Sequence, residues 1–237
     1  MSRFGFGAAL ASFAVAVMAC SSDAGTGSEA SPAAPPPSGP TTSAPGTAGT
    51  PGTPGGGADW PTYHATNDRA GWVARFRTPR ALAGAWSTRL DGAVYGQPIV
   101  VHGTAYAATE NDTVYALDPA TGHQRWKRHL GQPVPLSRLP CGNIDPLGIT
   151  GTPAYDATTR TLFVAMETTG AHHTLVALDP ASGRTRFTKD LDVLPGRDRT
   201  AEQQRGALAV AGGRVYVPFG GLAGDCGNYV GYVAAAR

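Results

Sequence analysis

The sequence predicts an all-β fold: a partial β-propeller of about three four-stranded antiparallel blades, behind a signal peptide and a disordered tether. Three observations lead to it. First, Thr113 to Leu130 aligned with Thr174 to Leu191 gives nine identities in eighteen positions (Thr113, Ala116, Leu117, Asp118, Pro119, Ala120, Gly122, Arg125 and Leu130), which marks an internal repeat. Second, each copy runs a short apolar strand into Asp-Pro-Ala-Thr/Ser-Gly and then into a strand carrying Trp126 or Phe187, and Asp-Pro with a following Gly is hairpin-turn chemistry. Third, a further apolar hairpin recurs upstream: Pro98 to Ala107, then Pro153 to Val164, then Leu208 to Val217. Four-stranded units repeating every 40 to 60 or so residues stack around an axis, which hides most strand edges.

Met1 to Arg3 supplies a short positive start, and Phe4 to Ala19 is an uncharged, small and apolar run of signal-peptide length. Residues 1–19 are expected to be removed. Val17-Met18-Ala19-Cys20 resembles the bacterial lipobox, closely at Ala19 and Cys20 and more loosely before them, which makes Cys20 the expected lipidation site. Residues 20–57 follow as a Ser, Thr, Ala, Gly and Pro tether; from residue 21 on it contains no Val, Ile, Leu, Met or aromatic residue, so it has nothing with which to build a core. The folded part is expected over residues 58–237.

In the 237-residue chain, 19 Lys and Arg oppose 17 Asp and Glu for a formal charge of +2, with no basic run. Nucleic acid is therefore not expected as a partner, because counterion release needs a concentrated positive surface. Signal, lipid anchor and tether place the propeller outside the cytoplasm, in the cell envelope, with the membrane as one partner and a protein or small-molecule ligand as the other.

Glu110 to Trp126, ENDTVYALDPATGHQRW, resembles the tryptophan-docking repeat of the pyrroloquinoline-quinone-like (PQQ-like, quinoprotein-type) propellers. The resemblance implies a blade-docking motif made of Ala116, Asp118, Thr121, Gly122 and Trp126 in one copy and of Ala177, Asp179, Gly183 and Phe187 in the next, with Phe where Trp is usual. The opening Asp59-Trp60-Pro61-Thr62-Tyr63, with Asn67, Arg69 and Gly71, resembles the segment that precedes the first blade in this family. By repeat alignment Gly231 to Ala235 is the third strand of a blade, after which the family pattern continues with a turn and a fourth strand. The expectation is a fragment of a longer propeller; completion by a second chain is the alternative.

The sequence contains no Gly-x-Ser-x-Gly, no phosphate-binding glycine loop and no His-Glu-x-x-His. Cys141 and Cys226 lie in loops of an exported domain, where oxidising conditions favour a disulfide. Their loops are longer than hairpins need and are the candidates for a functional surface. Asn143, Asp145 and Asp225 carry oxygens of the kind calcium takes, but such residues in Gly/Pro loops make turns, and no metal site is expected. His172-His173 is expected at a solvated hairpin tip, and Asn111-Asp112-Thr113 fits a glycosylation sequon that an acidic turn explains equally. These observations favour a surface-tethered binding or scaffold module without a cofactor, similar in kind to the propeller lipoproteins that scaffold envelope assembly. The alternative is a fragment of a quinoprotein-type dehydrogenase, which would use PQQ with calcium. A third reading gives the fragment no independent activity.

Overall fold

The computed structural model describes residues 59–72 and 84–237. The expected signal peptide, the expected lipidation site Cys20 and the expected tether lie outside the described residues. Strands β1 (Ile99–Val101), β2 (Thr104–Ala108), β3 (Thr113–Leu117) and β4 (Gln124–His129) form one antiparallel meander, and β5 (Ala154–Asp156), β6 (Thr161–Thr168), β7 (His172–Leu178) and β8 (Thr185–Asp190) form a second. The third sheet contains β9 (Glu202–Gln203), β10 (Ala209–Ala211), β11 (Arg214–Gly221) and β12 (Tyr232–Ala236). Among the described residues the only helical pieces are 3₁₀ turns at Leu136–Arg138 and Arg199–Ala201.

The repeat read from the sequence is a repeat of backbone detail. β3 and β4 slip register between Ala116 and Leu117, and β7 and β8 slip at the matching place, between Ala177 and Leu178. The third sheet departs from a simple meander: β10, β11 and β12 pair in order, while the two-residue β9 pairs with the far end of β11, Gly220 and Gly221. Between β9 and β10, the Gln204 side-chain amide donates to the carbonyls of Gly206 and Pro218 and so bridges the break.

Period-two alternation explains the stacking. β6 and β7 send Leu162, Val164, Val176 and Leu178 against Ile99, Tyr106 and Val114 of the first sheet. Their other face sends Phe163, Ala165, Leu175 and Ala177 against Val215, Val217 and Phe219 of the third. The middle blade is thus buried on both faces, which is why its strands read as unbroken apolar runs. β4 and β8 are almost wholly exposed and form the outer edge.

The opening segment ties the three first strands together. Trp60 exchanges backbone hydrogen bonds with Val100, and the carbonyl of Pro61 accepts from Tyr155 N–H. Arg69 donates to Thr62 Oγ1 and to the carbonyls of Tyr63 and Leu208, and Asn67 Nδ2 donates to Val210 O at 2.7 Å.

Blade-to-blade docking uses one arrangement twice. Trp126 Nε1 donates to Pro180 O at 3.0 Å, and its ring lies where a Cβ on Gly183 would sit, 2.6 Å from Cε3. Trp86, from the strand position before the first sheet, does the same: Nε1 donates to Pro119 O at 2.9 Å and the ring covers Gly122. Two residues on from each Trp, Thr88 Oγ1 donates to Gly122 O and Arg128 Nε donates to Gly183 O. Both glycines also have positive φ, +73° and +68°, so the turn and the neighbouring ring each demand glycine. Asp118 and Asp179 shape these turns by accepting from the two N–H groups at Ala120 and Thr121, and at Ala181 and Ser182. Each is clamped by an arginine, Arg125 at 2.7 Å and Arg186 at 2.8 Å, whose other donor reaches Thr104 or Thr161. The arginine hydrogen bond holds both carboxyls below their usual range, that of Asp179 at about 2.

Replacing Trp126 with Ala should cost about 3 kcal/mol and lower the melting temperature by roughly 6 to 12 °C. Trp126→Phe, which keeps a ring but loses the N–H to Pro180, should cost only about 1 kcal/mol. Differential scanning calorimetry of the two variants checks the order; equal losses would contradict this docking geometry.

Candidate functional site

Antiparallel meanders send their turns alternately to two ends, and here the ends are unequal. None of the β1–β2, β3–β4 and equivalent turns at one end is longer than six residues. The opposite end collects the β2–β3, β6–β7 and β11–β12 connections and both blade-to-blade connections, 130–153 and 191–201. It is the loop-bearing face.

A small second core fixes these loops. Ile144, Leu147 and Leu222 are buried together, with Leu139, Cys141 and Cys226 packed against them. Cys141 and Cys226 form a disulfide, their Cα atoms 6.1 Å apart, so the 130–153 connection is joined to the β11–β12 loop. Leu222 N–H donates to Ala201 O, which brings in the 191–201 connection as well. Asp145 Oδ1 accepts from Leu136 N–H at 3.0 Å, and Asp225 Oδ1 accepts from Tyr229 O–H. Among the described residues no three His, Cys, Asp or Glu side chains are grouped to hold a metal ion. Asn111 of the sequon sits in the β2–β3 turn, its Nδ2 donating to Asp91 Oδ2.

The histidine pair differs from the expectation of a solvated tip. The turn is Thr169–Ala171 and both histidines belong to β7, so alternation sends them to opposite sides. His172 is exposed, whereas His173 is 1% exposed and lies between two acids. Its Nδ1 contacts Asp192 Oδ1 at 2.7 Å, and its Nε2 lies 3.3 Å from Glu167 Oε2 without hydrogen-bond alignment. Burial pulls the His173 imidazole down, but the two carboxylates outweigh it and raise it to about 9, so it is a buried cation. Its ring meets Phe219 edge-on.

The first blade has no such balance. Asp112, aligned with His173 by the repeat, is fully buried with neither carboxylate oxygen hydrogen-bonded. A Cβ on Gly148 would come within 2.8 Å of its Oδ1. Burial, reinforced by Glu110 and Glu167, pushes the Asp112 carboxyl up to about 9, so it stays protonated at neutral pH. Glu110 and Glu167 are also raised by burial, although Glu110 Oε2 accepts from Gly148 N–H and Thr150 Oγ1. Sequence reasoning missed these acids because Asp and Glu near turns read as solvated. The repeat did contain a signal: Glu110 and Glu167 each stand six residues after the Thr that opens the second strand.

A cavity of about 340 Å³ opens on this face, lined by Asp192, Leu194, Arg197, Arg199, Glu202 and Tyr232 among others. Glu202 is 1% exposed; its Oε1 takes Arg197 at 3.3 Å, while Oε2 has no partner. The Tyr232 ring stacks flat on Phe219, centroids 4.6 Å apart. Burial, then Glu202 and Asp192, pushes its phenol to about 12, which keeps it a neutral donor.

The family model described as outer membrane protein assembly factor BamB, one of the PQQ-like repeat models, matches residues 83–218, more than half of the chain. This chain belongs to that family. No curated protein matches it. Among solved structures, quinohemoprotein alcohol dehydrogenase from Comamonas testosteroni is 23% identical with a TM-score of 0.53, covering 69% of this chain and 23% of that one. A quinohemoprotein alcohol dehydrogenase from Pseudomonas putida HK5 is also 23% identical at TM-score 0.53, covering 75% and 24%. BamB from Moraxella catarrhalis overlaps less well, at 16% identity and TM-score 0.42 over 58% and 39%. The chain spans about a quarter to two fifths of the length of these structures, and the likeness to the two dehydrogenases is one of fold alone. With family membership the PQQ-like repeat resemblance is established, and the three sheets are PQQ-like blades.

Stability should fall as pH rises. Asp112 keeps its proton in the fold and releases it on unfolding between pH 3.8 and about 9, and His173 acts in the same direction between 6.5 and about 9. Asp112→Asn should make that decline shallower and raise the melting temperature at pH 8, measured by thermal unfolding from pH 5 to 9. Removing the disulfide with Cys141→Ser and Cys226→Ser should cost up to about 4 to 5 kcal/mol for its 85-residue span, read from urea unfolding.

Proposed function

We propose that this protein is an extracytoplasmic lipoprotein, anchored at Cys20 and held on its tether, whose PQQ-like propeller is a non-enzymatic binding or scaffold module for a protein or small ligand. The observation that carries this is how the loop-bearing face uses its reactive groups. Cys141 and Cys226 are bonded to each other, Asp192 is engaged by His173, and Asp145 and Asp225 hold their own loops. Such a face is rigid and carries a cavity, which suits recognition. The disulfide supports an oxidising compartment, and the family's description, an outer membrane assembly factor, supports the envelope and a scaffold role.

The rival reading, part of a PQQ-dependent dehydrogenase with calcium, draws on the fold likeness to two quinohemoprotein dehydrogenases. The residues present do not fit that pair: among the described residues no three His, Cys, Asp or Glu side chains are grouped to hold a cation, and the two cysteines of this face are bonded to each other. Asp145 and Asp225, the loop carboxylates in question, are each committed to a local donor. No reaction step is therefore assigned.

Purified protein incubated with PQQ, calcium, a dye acceptor and a panel of alcohols and sugars should give no turnover above the protein-free control. Quinone- and calcium-dependent oxidation would overturn the reading.

A further inference from the structure

The cavity beside Glu202 has hydrogen-bonding capacity left unused on one acid and on one base, and this inference rests on the binding-module reading because it names a ligand for that face. Most charges around it are already committed. Asp192 accepts from His173, and Asp198 accepts from the N–H and hydroxyl of Thr200. Arg197 is shared with Glu202 Oε1 through two contacts of 3.3 Å. Two groups are left. Glu202 Oε2 is buried with no hydrogen-bond partner, which is costly for a carboxylate unless a donor or cation arrives. Arg199 spends only its Nε, on Gly170 O at 2.9 Å, and pairs with no carboxylate among the described residues. Its two terminal nitrogens are the ones that grip a carboxylate side by side.

We propose that this cavity binds a small zwitterion of the amino-acid class, its ammonium group at Glu202 Oε2 and its carboxylate at the Arg199 guanidinium. About 340 Å³ lies at the lower end of small-molecule clefts, roughly 300–1,000 Å³, and suits a ligand of this size. Exposed Leu194 and the Tyr232 ring, braced on Phe219, supply an apolar wall for a side chain. An anion alone would leave Glu202 Oε2 without a donor, and an amine alone would leave the Arg199 terminal nitrogens without an acceptor; a zwitterion satisfies both without adding net charge.

Isothermal titration calorimetry of the purified protein with each of the twenty free amino acids tests this. For the tightest, the matching amine without its carboxylate and the matching acid without its amine are titrated too. The expected result is saturable binding of at least one amino acid, weakened about tenfold or more in both truncated ligands. Arg199→Ala, at an exposed position, should weaken binding about tenfold or more with the melting temperature unchanged, and Glu202→Gln should weaken it as well. Binding of no amino acid, equal binding of either truncated ligand, or undiminished affinity in Arg199→Ala would overturn the proposal. Amino-acid binding together with quinone-dependent turnover would overturn only the non-enzymatic reading; no binding and no turnover would overturn only this one.

Discussion

The indole of Trp126 on Gly183, and of Trp86 on Gly122, is the contact on which the stacking of these blades depends. Each sheet is a thin layer with an apolar face, and an isolated layer of that kind is marginal in water. The ring sits at the outer strand and reaches across to the next blade's turn, where its N–H satisfies a proline carbonyl. The turn must therefore present a bare glycine backbone at a fixed place. The Asp carboxylate, the two N–H groups it accepts and the arginine that clamps it establish that place. The motif is thus one device: the aspartate shapes the turn, the glycine clears it and the aromatic covers it.

The second feature is the uneven treatment of one buried polar position in two repeats. In the middle blade His173 is a cation between Glu167 and Asp192; in the first blade Asp112 occupies the aligned place with no cation, and Gly131 stands where Asp192 would. Burying carboxyls without counter-charge is tolerable only if a proton stays on. The seam between these blades is therefore proton-dependent, whereas the outward-facing Asp118 and Asp179 stay ionised beside their arginines.

Much of the architecture was legible because it repeats. Thr113 to Leu130 and Thr174 to Leu191 gave strand, turn and outer strand in order, and the Pro98, Pro153 and Leu208 hairpins gave the inner strands. The disulfide was legible from compartment and cysteine count. Glu202 and Gln203 were not read as a strand, because two residues show no alternation. His173 was misplaced because the turn ends one residue before His172, and a shift of that size exchanges the inward and outward faces of a strand. The cavity was illegible for another reason: Arg199 and Glu202 are near neighbours in sequence, but Tyr232 reaches them only because β11 pairs with both β9 and β12.

The fixed loops and the cavity are carried on stacked blades, so the whole loop-bearing face depends on the stacking. Native-state hydrogen exchange tests it most directly. If ring-on-glycine docking couples the layers, amides of β2, β3, β6 and β7 will converge on a common opening free energy as denaturant is raised. Separate opening energies for the first and second sheets, each exchanging while the other stays protected, would contradict it.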